Sequence, residues 1–254
     1  DDYFYPASTV KFPVAVFTLE KLAQLDLPRD AQLNVLPDEG WLRGSAYDGP
    51  RRIDRHVEDI FVVSDNAAYN RLYEFLGPDA IAQRIDSLGL AGTRIVHRLS
   101  SPATREENLI ANAIEVELDG RTAYTEARRA SAGFDAAPLP IGSSYLDRNG
   151  TIIDKPFDFG AKNVFPLAAQ QALLREVIYP TGALRLRDRD RVFLRRAMTT
   201  LPREARLSPW DPVEYPDSYV KYLLVGGEAE LPDGITIYNK IGQAYGFTTD
   251  NAYI

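Results

Sequence analysis

From Phe12 to Leu19 the chain reads FPVAVFTL, apolar on nearly every face of a helix. A helix over residues 8–25 therefore has no wet side along its middle and must be enclosed by other elements. That requirement calls for several packed layers. With 254 residues, 45% of them apolar, the chain can supply a large core, in one domain or in two interleaved lobes. Ser8 or Thr9 stands where a helix N-cap is needed, and Pro13 falls near the start, where proline is tolerated.

The remaining pattern divides by region. Residues 37–55 read as loop, with Pro37, Gly40, Gly44, Gly49 and Pro50. Helices are predicted over 56–62, 67–76, 79–88, 166–178 and 188–200, with Gly77-Pro78 as a stop. The stretch 98–164 is the least regular. Asp119-Gly120 and Asn149-Gly150 there suggest hairpin turns in a long loop-plus-hairpin excursion. Segments 220–225, 235–241 and 247–254 read as antiparallel strands. Helices in the middle and strands at the end indicate an α+β fold, not an alternating one.

Composition excludes several chemistries. With no cysteine, disulfides, zinc thiolate sites and a Cys nucleophile are ruled out. Neither metal-binding helix motifs nor Gly-rich phosphate loops occur, so neither a metal nor another cofactor is expected. A net charge of −7 argues against nucleic acid as a partner. The Arg-rich run from Arg185 to Arg196 is read as a solvated helix face with internal ion pairs. No apolar run approaches the roughly 20 residues that a membrane-spanning helix needs. Neither histidine, His56 nor His97, sits in a pattern that favours a Ser-His-Asp triad, and no serine occupies a G-x-S-x-G elbow.

Three short motifs carry chemistry. In Ser8-Thr9-Val10-Lys11, residues i and i+3 share one helix face, so the Lys11 amine can reach the Ser8 hydroxyl. A serine needs a base to become a nucleophile, and burial can lower a lysine pKa enough to make it one. The same spacing recurs at Ser218-Tyr219-Val220-Lys221, beside an expected strand that would turn the two side chains apart, so Ser218 is read as a surface serine. Ser64-Asp65-Asn66 offers either a helix N-cap or a second hydroxyl with an amide beside it. In Lys240-Ile241-Gly242, a cation suited to a substrate carboxylate precedes a glycine that admits close backbone approach.

Ser-x-x-Lys, Ser-Asp-Asn and Lys-x-Gly, in this order, resemble the motif set of class A β-lactamases and penicillin-binding proteins. Tyr5-Pro6-Ala7-Ser8 and Gly242–Gly246 extend the resemblance at both ends. It implies a β-lactamase/transpeptidase-like α+β fold in one catalytic domain of two lobes. The helical lobe would span about 26–200; an α/β lobe with an antiparallel sheet would combine 1–25 and 201–254. Ser8 would be acylated, Lys11 would act as base and Ser64 would shuttle the proton. Asn66 and Lys240 would hold the substrate, and Gln243 would share the oxyanion hole with the Ser8 amide. Trp41 would form an aromatic wall, and Glu107 would activate the deacylating water. The implied substrate is a small or peptide-like molecule with a carboxylate, met in the periplasm or outside the cell.

The chain departs from the motif set in places. Ile241 removes a hydroxyl from the third motif. The asparagine expected four residues beyond Glu107 is Ala111. The span from Ser64 to Lys240 is long, with the excess in 113–164, and both ends look shortened. The chemistry expected is thus β-lactam or related amide or ester hydrolysis. The alternatives are a penicillin-binding-protein-like peptidase or esterase, and a catalytically silent binding module on the same scaffold.

Overall fold

The structure, a computed structural model, describes residues 3–37, 40–131, 133–147, 149–206, 210–225 and 230–254. A 3-10 turn over Ala7–Val10 leads into α1 (Lys11–Gln24). Every residue of α1 from Lys11 to Glu20 is buried, as the all-apolar run requires. No side chain caps this entry: Thr9 instead donates its hydroxyl to the Pro6 carbonyl at 2.8 Å.

Around α1 pack α2 (Ile53–Val62), α3 (Asn66–Leu76) and α4 (Pro78–Ser87). Gly77, at φ +82°, ends α3, and its N–H bonds the Tyr73 carbonyl. Pro78 then opens α4 with its ring-fixed φ. His56, on α2, is buried, and burial pushes its pKa down to about 3.

The chain also builds a four-stranded antiparallel sheet. At its centre are β1 (Gln32–Leu36) and β4 (Ala113–Leu118), flanked by β2 (Arg51–Arg52) and β5 (Arg121–Thr125). Asp119 and Gly120, both at positive φ, turn β4 into β5. The hairpin expected at Asp119-Gly120 is therefore present, but instead of belonging to a separate excursion it completes a sheet begun by β1. Two-residue pairings fill the rest: β3 (Ile110–Ala111) with β6 (Arg128–Arg129), β7 (Pro140–Ile141) with β10 (Phe157–Asp158), and β8 (Tyr145–Leu146) with β9 (Ile152–Ile153).

Next come α5 (Leu167–Ile178) and α6 (Asp188–Thr199), then a hairpin of β11 (Tyr238–Ala244) and β12 (Phe247–Tyr253). Both helices pack on the hairpin. Three arginines of the 185–196 run, Arg187, Arg191 and Arg195, are engaged internally, while Arg185, Arg189 and Arg196 are exposed. Arg191 and Arg195 donate to the last carbonyls of α5, and Arg29 and Arg187 pair with buried Asp190.

No strand covers 220–225. Asp217–Tyr219 forms a 3-10 turn, and the Lys221 amide bonds the Asp217 carbonyl. The apolar run is held by one buried polar group: the Lys221 ammonium donates to the Met198 carbonyl and to Asn239 Oδ1. Among the described residues no helix is long and apolar enough to cross a membrane.

Candidate active site

The turn before α1 meets β11 almost without clearance. A Cβ on Gly242 would lie 2.4 Å from the Pro6 carbonyl oxygen and 3.2 Å from the Ser8 amide nitrogen. Only glycine fits there, and its place in β11 sets Ser8 beside Gln243. Together with Ser64, Asn66 and Ile241 these residues line a cavity of about 450 Å³.

Two lysines lie beneath it, both buried. Lys11 donates to the Ser64 carbonyl and, at 3.2 Å, to the Ser64 hydroxyl. Lys240 donates to the same hydroxyl at 2.8 Å and to the Ile241 carbonyl at 3.0 Å. Ser64 Oγ therefore bridges two amines 229 residues apart in the chain. Burial lowers the Lys11 pKa to about 7, partly opposed by the Asp65 charge. Lys240 is held well below the ordinary lysine value too, by burial first and then by the charges of Lys11 and Lys221. At neutral pH this cluster holds amines that can take up a proton, with a hydroxyl between them to pass it on.

The Ser64-Asp65-Asn66 segment serves both of the roles its sequence allows. Asp65 caps α3, accepting from the Ala68 amide at 2.6 Å. With the cap supplied by Asp65, Ser64 and Asn66 are left to line the cavity. Asn66 donates to Ser100 Oγ at 2.8 Å. Ala7, Ser64 and Ser100 all have positive φ, at +46°, +55° and +48°. Non-glycine residues in this region store about 1–3 kcal/mol of strain each and cluster at functional sites.

Two expected residues lie elsewhere. Glu107 does not line the Ser8 cavity. Its carboxylate accepts from the Thr104 amide at 2.6 Å while Thr104 Oγ1 accepts from the Glu107 amide, so the two close their own turn. Trp41 is half-buried against the main core, beneath the Arg98 guanidinium at 5.1 Å.

Four cavity residues were not anticipated: Pro216, Ser218, Tyr219 and Tyr222. The expected strand would have turned Ser218 away. The observed 3-10 turn puts it on the wall of the Ser8 cavity, while the Lys221 ammonium bonds the Met198 carbonyl and Asn239 of β11. The repeated Ser-x-x-Lys spacing was the available signal. Among the described residues no group of His, Asp or Glu could hold a metal.

The structure thus brings the three sequence motifs together: Ser8 on its turn, buried Lys11 three residues on, and Ser64 bonded to both Lys11 and Lys240. The profile of the beta-lactamase enzyme family matches residues 1–136, more than half of the chain, and the chain belongs to that family. Among solved structures it is similar to an ancestral class A β-lactamase, with 19% identity, TM-score 0.55, and coverage of 99% of this chain and 71% of that one. It is also similar to a β-lactamase from Sphaerobacter thermophilus, at 15% identity and TM-score 0.54, covering 98% of this chain and 69% of that one. A third similar structure is PBP-A, at 18% identity and TM-score 0.53, covering 96% of this chain and 64% of that one. At these identities the likeness is one of fold. No curated protein matches the chain significantly.

Proposed function

We propose that the protein is an acyl-serine hydrolase in which Ser8 attacks the carbonyl of a β-lactam or a related amide or ester. The observation that carries this reading is the Lys11–Ser64–Lys240 cluster beside Ser8. Neutral Lys11 takes the Ser8 proton as the new C–O bond forms. The amides of Ser8 and Gln243 stabilise the oxyanion. Ser64 passes a proton to the leaving nitrogen or oxygen, and the carbonyl–leaving-group bond breaks. We assign a substrate carboxylate to the Lys240 side of the cavity, where no lining residue is acidic; Lys240, whose pKa is lowered by burial and by the Lys11 charge, takes up a proton as that carboxylate arrives. By the same family reasoning the protein meets its substrate in the periplasm or outside the cell.

Deacylation is the slow step in this proposal. No carboxylate lines the Ser8 cavity among the described residues, and that of Glu107 is bound in its own turn. An acyl-enzyme that persists is the behaviour expected of a penicillin-binding protein. Intact-mass spectrometry after incubation with benzylpenicillin tests both steps. One adduct should form on the wild type and none on Ser8→Ala, and it should outlast several half-times of its formation. Absence of any adduct, with fluorophosphonate also unreactive, would favour a binding module instead. Fast loss of the adduct that stops in Glu107→Gln would restore Glu107 as the base.

A further inference from the structure

Apart from the main core, a second apolar cluster is built on buried Tyr5, Ala7 and Phe159, with Phe157 and Ala244 packed against it. Ala7 is the residue before Ser8, and Ala244 is the residue after Gln243. The two segments that carry the oxyanion amides therefore meet in one cluster. Phe157 and Phe159 come from elsewhere, from the paired strands β7 and β10 and the residues just after them, in the segment between the four-stranded sheet and α5.

This support is closed without clearance. A Cβ on Gly160 would lie 2.2 Å from the Ala137 carbonyl oxygen. Asp158 Oδ1 accepts from the amides of Leu139 at 2.8 Å and Gly160 at 2.9 Å, and the Phe159 amide donates to the Leu139 carbonyl at 2.9 Å. Arg94 ties the same base to the body of the molecule, donating to the Gly160 and Lys162 carbonyls at 2.6 and 3.0 Å. The Phe159 ring is thus presented from a backbone fixed on both sides.

Phe159 touches both segments of the site. Its ring centre is 5.7 Å from that of Tyr5, three residues before Ser8, and 5.6 Å from that of Tyr245, two residues after Gln243. Phe157 stacks on Tyr245 at 4.9 Å. Ala7 and Tyr245 have φ of +46° and +52°. Non-glycine residues keep such a conformation only where the surrounding structure enforces it, and here the surrounding structure is this cluster. Gly242 permits the turn to approach β11 closely but, with no side chain, cannot hold it there.

We propose that Phe159 is a positioning residue for acylation: by packing on Tyr5 and Tyr245 together it holds the Ser8 and Gln243 amides in register with each other. It does not line the Ser8 cavity and acts only through these two segments. Displacement of about 1 Å at such a pair of donors is enough to slow a reaction roughly 10²-fold. The bearing on acylation rests on the Ser8 reading; the hold on the two amides does not.

Two measurements test it, on wild type, Phe159→Ala, Phe159→Leu and Phe157→Ala. The first is independent of acylation: backbone order parameters of the Ser8 and Gln243 amides from NMR relaxation. In the wild type both should lie near the rigid value of about 0.85, and in Phe159→Ala both should fall towards the flexible limit of about 0.6 while α1 stays rigid. Unchanged values in folded Phe159→Ala overturn the proposal. The second resolves Ser8 acylation by benzylpenicillin into the dissociation constant of the first complex and the rate constant of the covalent step. Phe159→Ala should lower the rate constant at least about tenfold and move the dissociation constant by less than about threefold. The rise of the pH profile should stay at about 7, because Lys11 sits on α1 between Val10 and Phe12 of the main core. Phe159→Leu, which refills most of the space, should recover most of the rate. Phe157→Ala, which removes a half-buried ring, should show both effects more weakly, and it carries both measurements if Phe159→Ala does not fold. A loss borne by the dissociation constant, or a rate constant equal to that of the wild type, also overturns the proposal. Order parameters that fall as expected in a protein that forms no adduct even as wild type would instead sink the Ser8 reading and leave the positioning role standing.

Discussion

Ser64 Oγ receives hydrogen bonds from Lys11 and Lys240, so the protonation of these amines decides what the hydroxyl can do. Lys11 titrates near 10.5 when exposed and at about 7 in the fold. The acylation rate should therefore rise as pH passes about 7 and level off above it, which a stopped-flow or mass-based pH profile checks. Lys11→Arg, permanently charged, should lower the plateau roughly 10²–10⁴-fold, the usual range for losing a general base. The same shift has a sign for stability. Between pH 7 and 10.5 the unfolded chain holds the Lys11 proton more firmly than the folded one. Lys11 thus costs stability, fully below about pH 7 and not at all above 10.5. Thermal melts of Lys11→Met should gain on the wild type at pH 7, and the gain should shrink as pH approaches 10.5. Gly242 is a residue of the opposite kind, needed for what it lacks. Gly242→Ala puts a Cβ 2.4 Å from the Pro6 oxygen, so the Ser8 turn must shift. Overpacking of this kind costs about 1–3 kcal/mol, and acylation should fall more steeply than the melting temperature.

Between elements, the cavity wall formed by Ser218, Tyr219 and Tyr222 depends on a polar latch. Lys221 joins the Met198 carbonyl, at the end of α6, to Asn239 on β11. Asn239 in turn donates to the Val220 carbonyl and to Asp250 on β12, and Asp250 accepts from the Tyr222 amide. The latch fixes the 217–222 segment, and with it Ser218, Tyr219 and Tyr222. Lys221→Met leaves two buried acceptors without a donor, at about 1–3 kcal/mol each when fully unsatisfied. A lower midpoint in urea, with Ser8 acylation retained but slowed, is the expected result. Sequence patterning misread this segment. Val220–Val225 has strand-like composition, yet a buried lysine with two acceptors outweighs strand propensity. In contrast, the turns at Asp119-Gly120 and Tyr245-Gly246 need positive φ at both residues, and Asp119-Gly120 was legible for that reason.

At the scale of the whole molecule, α3 is tied to the segment that leads into the four-stranded sheet by one buried pair. Arg98 bonds Glu74 of α3 and also the Ile110 carbonyl, while the other Glu74 oxygen accepts from the Asn112 amide at 2.5 Å. Both side chains are fully buried. Glu74→Gln strands the guanidinium, which typically costs about 3–5 kcal/mol. Calorimetry should show that loss, with less effect in Glu74→Gln/Arg98→Met. The sequence alone determined the buried helix α1, because no polar face was left to expose. It determined the three motifs too, because turn-scale chemistry is local. Tertiary structure decided the rest. Whether Ser64 meets two lysines, whether Ser218 faces the cavity, and whether Glu107 is free or bound in its turn all depend on contacts between distant segments. Such contacts are set by packing and by the satisfaction of buried polar groups, which short-range spacing does not encode.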